Sequence, residues 1–290
     1  MEAAALADLG WDSPEPETPA LSPSIAHALV TECPRQAWAE HRLLGNCITL
    51  SSDQLARRER GAALHNIVLE GGDRLAKVDA DSWRSQAARD ARADARASGL
   101  IPVLASDADE LAIVADRIAE SLAALGISLA GGVAEEKLHW EERTEIGEIL
   151  CTGVIDWRDN AGRIVDLKTT EGSVHPDACA AVLTSSAAVI QDCAYRSAVA
   201  SMDPGLAGRT SVLFLFAQSR APYMVTPVTC DGALRHIGES RWIRAKETWA
   251  RCLAGGREAK HWPQHVDRPI EVHPPAWVLA RELALEGQET

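Results

Sequence analysis

The chain has 290 residues, 46% of them hydrophobic, enough to bury a core in one large domain or two small ones and too many for wholesale disorder. Its 42 acidic and 29 basic side chains give a net charge of −13, which excludes a protein that coats nucleic acid non-specifically but allows one local basic surface. No apolar run is long enough to span a bilayer, and the start MEAAALADLG lacks the basic flank and apolar core of a secretory signal. A cytoplasmic protein with no membrane contact is the expectation. The seven cysteines are scattered and form no C-x-x-C pair, so reduced thiols are expected rather than disulfides or a zinc site.

Residues 1–20 are rich in Pro and acid and read as a disordered arm. Order is expected from Leu21, with Ser22 as a helix N-cap and Pro23 at the first helical position. A second helix is expected over residues 36–44, closed by Gly45. A third opens at Ser51 and runs to Gly71. Leu64, Val68 and Leu69 form its apolar stripe, and His65 lies beside them. Residues 81–99 read as a solvated helix. Arg84, Arg89, Arg92 and Arg96 either face phosphate there or, more plainly, make local ion pairs. A further helix spans residues 107–125, with Leu111, Val114, Ile118 and Leu122 inward.

A strand and turn follow from residue 134 onward and carry Glu135 and Glu136. Residues 148–170 then read as two strands joined by the turn Asp159-Asn160-Ala161-Gly162. The first strand carries Asp156. The second ends in Asp166-Leu167-Lys168, where alternation points Asp166 and Lys168 the same way. One long Ala-rich helix is expected over residues 177–201. Strands SVLFLFAQ and YMVTPVT come next, then a helix over residues 231–254.

Two carboxylates beside an ammonium suit a hard divalent cation and a phosphoryl transition state. The plainer alternative is a surface hairpin with an ordinary Asp–Lys pair. Either Glu135 or Glu136 could contact a metal, and Glu135 is preferred. Gln191 and Tyr195 share one helix face and offer hydrogen-bonding groups. His65 alone reads as an ordinary core or surface histidine.

Together and in this order, Gly61-x-x-x-His65, a Glu, Gly153-x-x-Asp156, Asp166-x-Lys168 and Gln191-x-x-x-Tyr195 resemble the RecB-like branch of the PD-(D/E)XK nucleases. LSPSIAHALVTECPRQAW, GAALHNIVLEG, DLKTT and a tail with WP and PPAW resemble more narrowly the C-terminal nuclease domain of exodeoxyribonuclease VIII (RecE) and its phage relatives. The resemblance implies an α/β fold: a central mixed β-sheet flanked by α-helices, in a single exonuclease domain over residues 21–290. It implies Mg²⁺-dependent hydrolysis of duplex DNA from 5′ ends, with Mn²⁺ as a substitute.

By position, His65, Asp156 and Asp166 resemble metal ligands, Lys168 resembles the catalytic lysine, and Gln191 and Tyr195 resemble the helix lining the DNA path. From the local pattern, the Leu167 backbone carbonyl is a further candidate ligand, and Glu135 joins Asp156, Asp166 and Lys168 in the candidate catalytic set. A homo-oligomeric ring and a strand-annealing recombination partner are further implications. Iron–sulfur members of the branch carry a cysteine near the position of Cys33 and a C-terminal cysteine cluster. Only Cys230 and Cys252 follow the nuclease helix here, so no iron–sulfur cluster is expected. The competing expectations are a non-catalytic DNA-binding scaffold and a RecB-branch nuclease for single-stranded ends.

Overall fold

A computed structural model describes residues 17–264 and 269–286. Residues 1–16, most of the expected arm, lie outside them. Order begins slightly earlier than Leu21, because Ala20 is already buried and its carbonyl oxygen is 3.1 Å from His41 Nε2. Leu21 bridges to Cys151, its amide donating to Leu150 O and its carbonyl accepting from Thr152 N.

The helices in chain order are α1 (Pro23–Thr31), α2 (Pro34–Glu40), α3 (Ser52–Glu70), α4 (Gln86–Ala97), α5 (Ala105–Ala124), α6 (Pro176–Ser185), α7 (Ala188–Met202), α8 (Gly232–Gly255) and α9 (Ala276–Glu286). The strands are β1 (Leu75–Val78), β2 (Ile101–Leu104), β3 (Gly132–Thr144), β4 (Gly147–Asp159), β5 (Arg163–Thr170), β6 (Ser211–Gln218) and β7 (Val225–Val228). The last five form one sheet in the order β3-β4-β5-β6-β7; β5 and β6 are parallel and the other neighbours antiparallel. This is the mixed sheet flanked by helices that the sequence led us to expect.

Each face of the sheet buries its own core. Leu138, Trp140, Ile155, Ile164 and Phe214 pack with α1, α7 and α8. Trp157, Val165, Leu167 and Leu215 pack with Leu64 of α3 and with Leu111, Val114 and Ile118 of α5. Helix α3 starts and stops for local reasons. Ser51 and Gln54 form a reciprocal capping box, and Gly71 closes the helix at φ 75°.

Four expectations need correction. The second helix begins at Pro34 and ends at Glu40. His41 turns extended there, and its ring Nδ1 accepts from Leu43 N, which stops the helical ladder. The Ala-rich helix is two helices, α6 and α7, bent by 71°. The break falls where Ser185 Oγ donates back to Ala181 O and Ser186 Oγ accepts from Ala188 N. Arg241 of α8 donates to Thr184 O at that end, satisfying a carbonyl the bend releases. Third, the expected helix of residues 81–99 is confined to α4, whose Arg92 and Arg96 both pair with Glu59 of α3. They brace α3 rather than face phosphate. Fourth, β1 and β2 form a parallel pair with no counterpart in the expected elements. No single described helix is long and apolar enough to cross a membrane.

The WP element of the tail has a structural role. Trp262 is fully buried, its indole donates to Gly256 O, and its carbonyl accepts from Arg35 Nε.

Candidate functional site

The site grows from a defect in the β3–β4 ribbon. Along a regular strand, residues two apart face the same side. Here Ile155 belongs to one core and Trp157 to the other, and on β3 Leu138 and Ala134 divide the same way. The ribbon rolls over between them, at Glu135 and Asp156. Glu135 sits at φ +49°, and the ladder skips from Ala134↔Trp157 to Glu136↔Ile155. A non-glycine residue in that region carries strain, which recurs where a site demands it.

The second hairpin adds an opening. Strands β4 and β5 pair only at Trp157↔Val165 and Arg158↔Ile164 before they part. Asp156 Oδ2 bridges the gap by accepting from Leu167 N at 2.7 Å. Helix α3 meets this point from one side and α7 from the other.

His65, on α3, places Nδ1 3.7 Å from both Glu135 Oε1 and Asp156 Oδ2. One ligand atom from each of His65, Glu135 and Asp156 can be chosen so that all lie within 4.8 Å of one another. Asp166 is buried beside them, with Lys168 Nζ 2.5 Å from its Oδ1. That contact is an ion pair without the alignment of a directed hydrogen bond, since Oδ1 has no hydrogen-bond partner. Lys168 also donates to Gln191 Oε1 at 2.9 Å, Gln191 Nε2 donates to the Tyr195 hydroxyl at 3.2 Å, and that hydroxyl donates to Val154 O at 2.6 Å.

Gln191 and Tyr195 are therefore spent on holding the lysine and the split strand. Tyr195 is almost fully buried. Glu136 is diverted too, accepting both arms of Arg158 at 2.6 Å. Of the two glutamates, only Glu135 lies in the carboxylate cluster. What the structure shows of Leu167 is its amide, held by Asp156.

The electrostatics suit a cation. Burial pushes the Asp166 carboxyl up to about 6, against the pull of Lys168 and with the help of nearby Asp156. Burial would lower the His65 imidazole, but the Asp156 and Glu135 carboxylates outweigh it and raise it to about 9. Glu135 Oε2 is buried without a hydrogen-bond partner, and Asp166 Oδ1 has only the Lys168 ammonium beside it. An unpartnered carboxylate oxygen at this depth is costly, and a divalent cation is the partner that oxygen donors of this kind suit.

Two features escaped the sequence reading. One is a buried carboxylate, Glu142, which binds α7 and α8 to β3. It lies in the acidic end of the expected strand and turn, where nothing but the nearby Trp140 marks a buried position. The other is the reason for Gly153: a Cβ there would come within 2.9 Å of Tyr195 Cε1. Gly153→Ala should push the Tyr195 ring away and cost about 1–3 kcal/mol, read by chemical denaturation. A stability equal to wild type would mean that the ring tolerates the methyl group.

A family model described as the PD-(D/E)XK nuclease superfamily matches residues 20–268. No curated protein matches the chain by sequence. Among solved structures, a candidate exonuclease from Eubacterium rectale superposes with a TM-score of 0.56 at 12% identity, over 87% of this chain and 91% of its own. That likeness bears on the fold alone. SSO0001 aligns over 83% of this chain and 85% of its own at 9% identity and a TM-score of 0.34, too low to carry an argument. With the family match spanning nearly all of the described sheet and helices, the chain belongs to the PD-(D/E)XK nuclease superfamily.

Proposed function

We propose that this protein is a Mg²⁺-dependent exodeoxyribonuclease that hydrolyses duplex DNA from 5′ ends, with residues 21–290 as a single catalytic domain. Nucleases of this superfamily use divalent metals. The observation that carries the reading is the convergence of His65, Glu135 and Asp156 beside the Asp166–Lys168 pair at a split hairpin. His65, Glu135, Asp156 and Asp166 would hold the metal, with the Leu167 carbonyl as a further oxygen. Bound there, a divalent ion supplies charge for the scissile phosphate and acidifies a water. Lys168 places its ammonium where charge builds on the phosphate, and Gln191 fixes that ammonium through a hydrogen bond of 2.9 Å. Tyr195 holds Gln191 in turn and anchors to β4 through Val154 O. The 5′ polarity, the ring assembly and a strand-annealing partner rest on the resemblance to RecE-type exonucleases.

Digestion of end-labelled duplex DNA with Mg²⁺ tests this reading. Stepwise loss of nucleotides from the 5′ end, abolished by chelator, is the expected result. DNA binding without cleavage under either Mg²⁺ or Mn²⁺ would overturn it in favour of a scaffold.

A further inference from the structure

Three of the four candidate metal ligands ride on the five-stranded sheet: Glu135 on β3, Asp156 on β4 and Asp166 on β5. The fourth, His65, rides on α3, and its Nδ1 stands 3.7 Å from Glu135 Oε1 and from Asp156 Oδ2. Such a constellation works only while its members stay within about 0.5 Å of the productive geometry. The seat of α3 on the sheet therefore decides whether His65 can join the other three.

Apolar packing alone does not set that seat. Ala63 and Leu64 are buried in one core with Val165 and Leu167. Hydrophobic burial has no direction, so it holds α3 down more firmly than it fixes where along the sheet the helix stops. At Gly61 the helix passes close to β5, and a Cβ there would lie 3.8 Å from Thr169 Oγ1, a contact that neither clashes nor locks.

The directed contacts of α3 differ in what they reach. Glu59 pairs with Arg92 and Arg96 of α4, and Asn66 bonds to Glu70, Asp73 and the Arg74 amide. Those bonds stop short of the five-stranded sheet. Arg60 goes further. Its guanidinium donates to Asp107 Oδ1 at 3.1 Å and to Glu110 Oε2 at 2.7 Å, both on α5, and to the Ser219 carbonyl at 2.9 Å. Ser219 follows β6 directly, and its amide donates to Thr170 O at 2.9 Å. Thr170 ends β5, two residues beyond Lys168. One side chain thus ties α3 to its neighbouring helix and to the end of the strand that carries Asp166 and Lys168. A planar guanidinium suits this task, because its fork fixes direction as well as distance.

The clamp contributes little to stability. Asp107 and Glu110 are 39% and 48% exposed, and pairs so open to water are worth little. Its effect falls on where α3 sits.

We propose that Arg60 is a positioning residue for His65: by joining α3 to α5 and to the end of β5, it holds the imidazole within reach of an ion bound by Glu135, Asp156 and Asp166. This role rests on the metal reading of the proposed function, and it needs no contact between Arg60 and metal or DNA.

Mn²⁺ binding, followed by the electron spin resonance of the free ion, tests the role without turnover. Arg60→Met keeps much of the side chain's length and removes its fork. It should weaken Mn²⁺ binding about 10- to 100-fold, the usual cost of losing a group that orients a metal ligand. Its melting temperature without metal should stay within about 4 °C of wild type. Arg60→Lys, which keeps the charge and loses the fork, should weaken binding in the same direction. The control, Arg117→Met, breaks an exposed pair with Glu120 within α5 and should bind Mn²⁺ within about twofold of wild type. A double-mutant cycle with His65→Ala discriminates positioning from general support. Once His65 is gone, Arg60→Met should weaken Mn²⁺ binding by less than about twofold. An equal loss in both backgrounds would overturn the proposal and make Arg60 a support of the fold at large. Wild-type affinity in both Arg60→Met and Arg60→Lys would also overturn it and leave the metal reading intact. Failure of wild type to bind Mn²⁺ would overturn the metal reading, and the role of Arg60 with it.

Discussion

Asp166→Asn is expected to slow Mg²⁺-dependent DNA hydrolysis by on the order of 10²–10³-fold and to leave the metal-free protein as stable as wild type or more so. Both effects come from one placement. The Asp166 side chain is 2% exposed, lies near Asp156, and leaves Oδ1 without a hydrogen bond. Its folded pKa, about 6, stands above the ordinary value of 3.8 for an aspartate. The native state therefore holds this proton more tightly than the unfolded chain, and stability falls as pH rises from about 4 to about 6. An isosteric amide removes that penalty at neutral pH together with the charge a metal needs. Lys168→Ala should lower the rate by a similar factor, since the ammonium faces the same phosphate. Mg²⁺ should raise the melting temperature of wild type and raise it much less in Asp166→Asn. Activity assays and thermal melts with and without Mg²⁺ read all of this. Unimpaired cleavage by Asp166→Asn would remove it from the catalytic set, and a sharp fall in melting temperature would make its role structural.

The parts of the site legible in the sequence were those carried by local pattern. The turn at Asp159 to Gly162 and the alternation of Asp166 with Lys168 follow from period-2 geometry, and α3 is framed by Ser51, Gln54 and Gly71. His65 could not be weighed that way, because its meaning depends on α3 packing over the ribbon's roll-over. The roll-over itself left no local signal: nothing in the run Ala134-Glu135-Glu136 marks a positive φ at Glu135. The same holds for α6 and α7, where Ala-rich composition favours one helix, while a local bond from Ala188 N to Ser186 Oγ and a tertiary one from Arg241 to Thr184 O accompany the break. Likewise the Arg-rich α4 showed its charge in the sequence but not its partner. Glu59 lies 33 positions before Arg92, and no helical spacing connects them.

The α4 and α6–α7 misses share a cause: Arg92 is set by Glu59 and the Thr184 carbonyl by Arg241, each a partner distant in sequence. The hydrogen-bonded chain from Lys168 to Tyr195 has the same character. Lys168 is fixed by Gln191, 23 positions away, and Tyr195 is fixed by Val154, 41 positions away. Resemblance supplied those residues as a set, and the fold supplies their physical connection.

Glu142→Ala should be the most destabilising single change outside the carboxylate cluster, at about 3–5 kcal/mol. Glu142 Oε1 accepts from Trp140 Nε1 at 3.0 Å, Ser197 Oγ at 2.6 Å and Trp242 Nε1 at 3.3 Å, and Oε2 accepts from Lys246 Nζ at 2.7 Å. Glutamate and lysine are 11% and 14% exposed, so removing the acid strands a buried ammonium and two indole donors. For a chain of this size the loss corresponds to a fall of about 10 °C in melting temperature. Replacing the pair by Glu142→Leu with Lys246→Met should recover much of it, because no unpaired charge remains. The pH dependence follows from the same contacts. Burial pushes the Glu142 carboxyl up, but its bonds to Lys246, Ser197 and Trp140 outweigh that and hold it below the usual range. Its contribution is thus fully present above the ordinary glutamate pKa of about 4.3 and is lost as pH falls through the lowered folded value. Denaturation curves of wild type and Glu142→Gln should therefore converge in acid. A cost for Glu142→Ala below about 1 kcal/mol would show that water replaces these bonds, and that the packing of Trp140 against Trp242, rather than the carboxylate, joins α8 to β3.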